Sequence, residues 1–425
     1  MATNDPLGHV TTVSGSQLTA NLGPEKDSAS SFRIGSMVKV PVDGTHAVGS
    51  VSSIQSELSP PRRVIAADLV GELITENGAL RFSRGVSNYP IPGSPVHRAS
   101  ESDLKAIYDR PAVPSIRVGS LYNDSSTPAY VLIDELLTKH FAVLGTAGTG
   151  KSSAVVLILS AILAGHPNAH VIVLDPHNEY SHAFGDLADV ITVDNLQLPL
   201  WLLDLEEAER ALVRGGTAFE QDSQVMILKD AIAWARRHFD EKFSSPFITV
   251  DTPTPYRVFE LLRFINDEMG RLGKPDTSAP YLRLRTRIES LREDRRFNFM
   301  FPGGDRDTLP QIVQRLLRIP VKGKPVTIVD LSGVPSEIVD VVVSMICRII
   351  FDFSLWSDRA KRPPFLLVCE EAHRYVPANE RVGFDATRKE MTRIAKEGRK
   401  YGISLALVTQ RPAEISLEAL SQCGT

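Results

Sequence analysis

Residues 139–153 read KHFAVLGTAGTGKSS, a short apolar run that ends in a glycine-rich loop followed by lysine and serine. The segment from Gly145 to Ser152 matches GxxxxGK(S/T), a pattern in which glycines let successive backbone N–H groups face a phosphate chain. A helix after the loop would add its positive N-terminus. Lys151 would then reach the β- and γ-phosphates, and Ser152 would ligate Mg²⁺. The stretch therefore predicts a site for ATP and Mg²⁺.

The flanking sequence supports this interpretation over a turn that holds glycine and lysine by chance. The apolar segment 141–144 predicts a strand before the loop, and 152–164 predicts a buried helix after it. Another apolar strand, 170–175, follows, so the order is strand, helix, strand, as in a parallel sheet. The predicted nucleotide-binding residues are Gly145, Thr146, Ala147, Gly148, Thr149, Gly150, Lys151, Ser152 and Ser153.

A second segment, FLLVCEEAH (365–373), is an apolar strand that ends in two acids. Carboxylates beside a buried strand are costly unless they have a function. We expect Glu370 to hold the water shell of Mg²⁺ and Glu371 to polarise the water that attacks ATP. The alternative is a patch of acids on the surface at the end of a strand, which the glycine-rich loop upstream disfavours.

A third segment, LALVTQRPAEIS (405–416), places Gln410 at the end of another apolar strand. An amide there can sense the γ-phosphate or position water, or it can be an ordinary hydrogen-bonded amide. The basic stretch before it carries Arg388, Arg393 and Arg399, which would usually form a solvated helix face. In a ring of subunits one such arginine can reach the neighbour's γ-phosphate. We favour Arg399 over Arg393, because Arg399 lies just before the strand.

Composition limits the class of protein. The chain has 425 residues, a net charge of −4 and 43% hydrophobic residues, which suits a globular protein of two or three domains and excludes a wholly basic surface. Three cysteines without a CxxC pair argue against a disulfide framework and a zinc site. The N-terminus has no signal-peptide pattern, and the longest apolar runs are too short or too charged to span a bilayer. We expect a soluble, cytoplasmic protein.

The pattern of predicted elements divides the chain. Residues 1–125 contain short strands separated by turn signals such as PVDGTH, which predict a small barrel or sandwich for assembly or partner binding. Residues 126–198 and 319–425 alternate strands with helices, and 199–318 is predicted to be a helical insertion. The predicted fold class is α/β, a P-loop ATPase core with an N-terminal β-barrel and an inserted helical bundle.

Together the segments KHFAVLGTAGTGKSS, VIVLDPHNEY, VTIVDLSG, LLVCEEAHRYVP and RIAKEGRKYGISLALVTQRPAEIS resemble the HerA ATPases of the FtsK–HerA group. The resemblance runs from about residue 115 onward, and the start resembles the family's HAS barrel. It implies a RecA-like core and a homo-hexameric ring that hydrolyses ATP at subunit interfaces and translocates double-stranded DNA. It also implies a nuclease or sirtuin-like effector partner, in DNA end processing or anti-phage defence. A membrane partner is not expected, because the apolar runs cannot span a bilayer.

By resemblance, Lys151 and Ser152 are the P-loop pair, Glu370 and Glu371 the Walker B acids, Gln410 the sensor and Arg399 the arginine that acts in trans. In VIVLDPHNEY, Asp175, His177 and Glu179 are expected behind the nucleotide site, although His177 alone is more often structural. Family members continue through further strands, so we expect the segment that closes the ring to lie beyond Thr425.

Candidate DNA contacts are basic residues in two places. The segment after the paired acids is favoured, and it offers Arg374, Arg381, Arg388 and Lys389. The helical insertion offers Arg283, Arg285, Arg287 and Arg292, which we interpret as the solvent side of a helix.

Three other functions compete with an ATP-driven DNA motor. A ring scaffold would use ATP for the assembly of partner effectors, without processive movement. A conjugation or secretion ATPase is disfavoured by the absence of a transmembrane segment and by the β-rich start. A small-molecule kinase is disfavoured by the paired glutamates and the late strand that ends at Gln410.

Overall fold

A computed structural model describes residues 6–23, 33–58, 61–76, 78–121, 124–239, 248–272, 275–301, 308–379 and 383–424. The chain divides into two compact units, residues 1–131 and 132–425. Among the described helices, none is both long and apolar enough to cross a bilayer.

The first unit is built on antiparallel strands that close into a barrel. Its strands are β1 (Gly8–Ser14), β2 (Gln17–Leu22), β3 (Met37–Val42), β4 (Thr45–Leu58), β5 (Pro61–Glu76), β6 (Ala79–Arg84) and β7 (Pro95–Arg98). The neighbours follow the order β2-β1-β7-β3-β4-β5, and β2 also pairs with β5, which closes six strands. Strand β6 extends along the second half of β5. Closure leaves few free strand edges.

The barrel follows from alternation and turn chemistry. In β3, Val38 and Val40 are fully buried while Lys39 between them is not, as expected for a strand with one face on the core. The turn from β3 to β4 places Asp43 and Gly44 at φ values of 34° and 81°, the left-handed conformation that tight hairpins require. The turn signal PVDGTH therefore marked a real hairpin. Helix α1 (Glu101–Ile107) and the hairpin β8 (Ser115–Leu121) and β9 (Asp124–Leu132) follow the barrel.

The second unit contains a parallel sheet. Its strands are β10 (Phe141–Leu144), β11 (His170–Asp175), β12 (Ala188–Ile191), β13 (Val326–Asp330), β14 (Phe365–Cys369) and β15 (Ile403–Thr409). The order is β10-β15-β14-β11-β13-β12, and every pairing is parallel. Strands β13 and β14 are buried at every residue, and apart from Thr327 and Asp330 in β13 their residues are apolar, as expected for the centre of a parallel sheet. All six carboxyl ends therefore meet at one edge.

The helices of this unit cover the sheet or form an insertion between β12 and β13. The helices outside the insertion are α2 (Ile133–Thr138), α3 (Lys151–Gly165), α9 (Val339–Trp356), α10 (Asp385–Glu397) and α11 (Leu417–Ser421). Those inside it are α4 (Leu205–Leu212), α5 (Ala218–Phe239), α6 (Val258–Gly270), α7 (Pro275–Glu293) and α8 (Leu309–Leu317). Leu228, Ile265 and Ile288 are fully buried where α5, α6 and α7 pack together.

Helix α4 fastens the insertion to the core. Asp204 and Glu207 form a capping box at its start. The buried Glu207 also receives the Arg348 guanidinium of α9 at 2.7 Å. Burial raises the pKa of Glu207 to about 6, and Arg348 opposes that shift.

The structure confirms the predicted fold class, an α/β P-loop core with an N-terminal β-barrel and an inserted helical bundle. The boundaries 1–125, 126–198, 199–318 and 319–425 remain predictions.

Candidate functional site

The glycine-rich loop joins the carboxyl end of β10 to the start of α3. Gly148 and Gly150 have φ values of 76° and 86°, in the left-handed region that favours glycine. Gly145 has no room for a side chain, because an added Cβ would lie 2.7 Å from the Thr149 hydroxyl oxygen. The loop therefore needs glycine at all three positions, and Lys151 begins the helix.

The side chains of the loop close on one of its own carbonyl groups. The Lys151 ammonium donates to the Thr146 carbonyl at 3.0 Å, and the Thr149 hydroxyl donates to the same oxygen at 2.8 Å. Phosphate oxygens are stronger acceptors for a lysine than a neutral carbonyl is. Ala147 and Ser153 are exposed. The loop and the first turn of α3 thus offer a surface on which a phosphate could replace the carbonyl as the partner of Lys151.

Strand β14 ends in two carboxyl groups that are almost completely buried. Glu370 is 2% exposed and Glu371 is 5% exposed. The Glu370 N–H donates to the Leu174 carbonyl of β11 at 3.2 Å, so the sheet ladder fixes the backbone here. Glu371 has a φ of 52°, which is unfavourable for a residue with a side chain by about 1–2 kcal/mol. Strained backbone of this kind is concentrated at functional sites.

Glu370 is held by Tyr180, a fully buried tyrosine at the end of the turn after β11. The Tyr180 hydroxyl donates to a Glu370 carboxylate oxygen and also lies within hydrogen-bonding range of Ser152. Burial, together with the charges of Glu179 and Glu371, raises the pKa of Glu370 to about 7, although Tyr180 and Lys151 oppose the shift. Burial also raises the pKa of Tyr180, so its hydroxyl remains a donor.

Glu371 makes a different set of contacts, with the end of β15. The Gln410 amide donates to one Glu371 carboxylate oxygen. His373 Nδ1 lies 3.1 Å from the other oxygen and 3.1 Å from the Thr409 hydroxyl. The second Glu371 oxygen is buried and makes no hydrogen bond among the described residues. Burial lowers the pKa of His373, which favours the neutral ring.

Strand order explains why these groups meet. Strand β15 lies between β10, which carries the loop, and β14, which carries the acids. The Gly145 N–H donates to the Thr409 carbonyl at 3.3 Å, which ties the loop to the strand that ends at Gln410. The structure therefore brings together Lys151, Ser152, Glu370, Glu371 and Gln410 at one edge of the sheet.

The segment DPHNEY forms a tight turn behind the loop. Asp175 is fully buried and accepts from the backbone N–H groups of His177, Glu179 and Tyr180 at 3.3, 3.0 and 2.9 Å. The Glu179 carboxylate accepts a hydrogen bond from the Ser152 hydroxyl, whereas the His177 side chain is exposed. Asp175 therefore has a structural contact set, and Glu179 is the member of this segment that faces the site.

Arg399 does not join this cluster. It lies in the turn Gly398–Tyr401, before the amino end of β15, and the seven residues of that strand span about 20 Å. Its side chain is exposed and makes no hydrogen bond or ion pair among the described residues. Arg393, by contrast, packs over the Phe351 ring at 3.9 Å and lies 3.8 Å from Asp352. Of these two arginines, Arg399 is the one that could reach another molecule.

The basic segment after the paired acids is less available than its sequence suggests. Arg388 and Lys389 pair with acidic neighbours at 2.7 and 3.0 Å. Arg374 is exposed, and Arg381 lies outside the described residues. The predicted DNA contacts of this segment remain predictions.

Sequence reasoning missed two contacts of the paired acids. Tyr180 was only the last letter of a motif, and His373 only the residue after EEA. The available signal was a polar side chain close to the carboxyl end of a buried strand, a hydroxyl for Tyr180 and a ring nitrogen for His373. These side chains matter because β14 lies between β11 and β15, and the order of strands along the chain does not reveal this.

The donor set fits a magnesium ion. Mg²⁺ takes oxygen ligands and keeps several of its waters, and the Ser152 hydroxyl, Glu370 and Glu179 supply oxygens in one cluster. A nearby cation would also offset the cost of ionising the buried Glu370. In the described part of the chain, no group of three or more histidine, cysteine or acidic residues could hold a metal ion by itself. Waters and ATP phosphates would complete the coordination.

The sequence is similar to known proteins along most of its length. The family described as "Helicase HerA, central domain" matches residues 116–350, more than half of the chain. The DNA double-strand break repair helicase HerA of Pyrococcus furiosus is 26% identical over 368 residues, which cover 78% of this chain and 63% of that protein. The protein of the same name from Saccharolobus solfataricus is 27% identical over 340 residues, which cover 78% of this chain and 62% of that protein.

This chain thus spans less than two thirds of the length of these curated relatives. Among solved structures, VirB4 of Thermoanaerobacter pseudethanolicus is similar with a TM-score of 0.48 and 17% identity, over 74% of this chain and 81% of that one.

Proposed function

This chain belongs to the family described as helicase HerA, central domain, and we propose on that premise that it is an ATP-hydrolysing DNA translocase or helicase. The observation that carries the proposal is the cluster of Lys151, Ser152, Glu370, Glu371 and Gln410 at one sheet edge. A phosphate-binding loop faces two buried acids there, and each acid has its own hydrogen-bond partner.

ATP binds with its phosphates along the loop that ends at Gly150. The N–H groups of the loop and the start of α3 face the phosphates, and Lys151 exchanges the Thr146 carbonyl for phosphate oxygens. Ser152 would hold Mg²⁺ directly, and Glu370 would hold it through water. When bound, the ion would supply positive charge to the phosphates. Tyr180 keeps the Glu370 carboxyl aimed at that position.

Glu371 is the base for the attacking water. One of its oxygens is fixed by Gln410, while the other is free of hydrogen bonds among the described residues and can accept the water's proton. Gln410 lies between the loop and Glu371, so its amide can report whether the γ-phosphate is present. A positioned general base typically increases a reaction rate about 10²–10⁴-fold.

The assembly is a homo-hexamer in which Arg399 completes the neighbouring subunit's site. Arg399 is exposed and about 20 Å from its own site, measured along β15. An arginine supplied in trans stabilises the charge of the transferred phosphoryl group, and in GTPase systems it increases the rate about 10³–10⁵-fold. Turnover would then depend on ring formation.

The substrate is double-stranded DNA, and the partner is a nuclease or a sirtuin-like or other effector. What supports the DNA substrate is that the relatives are named as DNA double-strand break repair helicases. DNA end processing and anti-phage defence are the two pathways in which such a motor would serve. The second candidate is a ring scaffold that assembles effector subunits, for which ATP would drive assembly without movement.

Displacement of a triplex-forming oligonucleotide from linear duplex DNA separates these two functions. A motor that moves along the duplex strips the third strand in an ATP-dependent manner, and the Glu371→Gln protein does not. ATP-dependent assembly without any displacement would support the scaffold and overturn translocation. The Glu414→Gln protein, altered at an exposed acid that pairs with Arg411, is the matched control.

A further inference from the structure

The helical insertion contains a groove of about 550 Å³ along one face of α7. Its α7 wall includes Arg283, Thr286, Arg287 and Ser290, whose spacing of three to four residues places them on the same side of the helix. Arg214, from the segment after α4, also lines the groove. We call this cavity the α7 groove. The sequence had suggested that Arg283 and Arg287 merely cover a solvated helix face.

The α7 groove holds more positive than negative charge. Arg283 lies 3.4 Å from Glu220, and Arg287 lies 3.2 Å from Glu337. Arg214 has no hydrogen-bond or ion-pair partner among the described residues, and its Nε atom is buried without one. Three guanidinium groups therefore face two carboxylates in a protein whose net charge is −4.

The environment of Arg214 disfavours its own charge. Burial lowers the pKa of Arg214, and the neighbouring Arg210 and Arg287 lower it further, with Glu337 opposing. A half-buried cation among like charges is costly unless an anion joins it. An anion bound in the α7 groove would offset that cost.

The polar side chains of the groove suit a phosphate group. Guanidinium groups bind phosphate oxygens through paired N–H donors, and the hydroxyls of Thr286 and Ser290 add donors beside them. Arg283 and Arg287 are one helical turn apart, about 6 Å along the axis, which suits successive groups of an extended polyanion. The groove runs along the helix face and is not a closed pocket.

We propose that the α7 groove binds the phosphate backbone of duplex DNA. The proposal rests on the proposed function and adds to it a DNA contact outside the ATPase core. The basic segment after the paired acids has two of its cations already ion-paired with acids. Arg214 is the groove cation that DNA would satisfy without breaking an existing ion pair.

The same helix offers a matched control. Arg292 is exposed on α7 and does not line the groove. Replacing it with glutamine removes one positive charge from the helical insertion, at a position outside the groove. The comparison between Arg214→Gln and Arg292→Gln therefore separates a site from a general effect of charge.

Fluorescence anisotropy of a labelled 30-base-pair duplex, measured with the full chain from about 50 to 200 mM salt, tests the proposal. The slope of log affinity against log salt should fall by about one for Arg214→Gln and by about two for Arg214→Gln/Arg283→Gln. Affinity should fall severalfold at each step, whatever the DNA sequence. ATP binding should be unchanged in all variants. Because Arg214 has no partner to lose, the single variant should unfold at the same temperature or higher.

Three results would count against the proposal. Equal affinities and slopes for Arg214→Gln and Arg292→Gln would overturn the groove as a DNA site, while leaving the motor intact. Loss of tripolyphosphate binding with unchanged duplex binding would assign the groove to a small phosphorylated ligand. Wild-type protein that hydrolyses ATP but binds no duplex would overturn the DNA part of the proposed function itself, and with it this inference.

Discussion

Replacing Glu370 with glutamine tests whether its position at the end of β14 makes the carboxyl costly to ionise. Glu370 is 2% exposed, and burial raises its pKa from an ordinary value of 4.5 to about 7. Glutamine has nearly the same size and shape, and its amide oxygen can still accept from the Tyr180 hydroxyl. The substitution therefore removes the ionisation and little else.

The sign of the effect follows from proton binding. The folded protein keeps the proton on Glu370 up to about pH 7, whereas the unfolded chain releases it near 4.5. Between these values the folded state binds more protons, so its stability falls as the pH rises. At about 1.4 kcal/mol per pKa unit, the full loss is about 3 kcal/mol. Roughly 2–3 kcal/mol of it develops between about pH 5 and pH 8.

Thermal unfolding of nucleotide-free protein in EDTA, at pH 5 and pH 8, measures this loss. From pH 5 to pH 8, the free energy of unfolding of Glu370→Gln should rise relative to that of wild type by roughly 2–3 kcal/mol. For a unit the size of the second one, this corresponds to about 5 °C in Tm. Glu397→Gln, which alters an exposed acid of α10, should show no such growth. If the difference in stability between Glu370→Gln and wild type were the same at both pH values, the argument that burial keeps Glu370 neutral would be refuted.

Three other substitutions address the remaining groups of the site. Glu371→Gln should bind ATP but hydrolyse it about 10²–10⁴ times more slowly, and near-normal turnover in a phosphate-release assay would remove Glu371 as the base. Arg399→Ala should bind ATP and lose turnover, and mixing it with Lys151→Ala protein should restore part of the activity; mixed rings without rescue would contradict action in trans. Tyr180→Phe should raise the pKa of Glu370 further, because a hydrogen bond that favours its carboxylate is lost. The acidic limb of its rate–pH profile should therefore move to higher pH, and an unmoved limb would show that Tyr180 does not position Glu370.

Much of the site could be predicted from sequence because each part is local. The glycine-rich loop carries its own backbone requirements at Gly145, Gly148 and Gly150. Strands β14 and β15 are buried runs, so a polar residue immediately after either one is conspicuous. Parallel strands bring their carboxyl ends to one edge, which was sufficient to place Glu371 and Gln410 together.

Contacts that depend on which strands are neighbours could not be predicted. Tyr180 reaches Glu370 because β11 lies beside β14, although 190 residues separate the two in sequence. The α7 groove was missed for a similar reason. Periodicity showed that Arg283 and Arg287 avoid the apolar face of α7, but not that Arg214 lines the same groove.

The most direct test of the central claim is the steady-state ATPase rate with and without linear duplex DNA, on protein whose oligomeric state is measured by mass photometry. We predict a hexamer whose rate rises strongly with DNA and falls to background in Glu371→Gln. A hexamer that hydrolyses ATP at the same rate with and without DNA would contradict the motor.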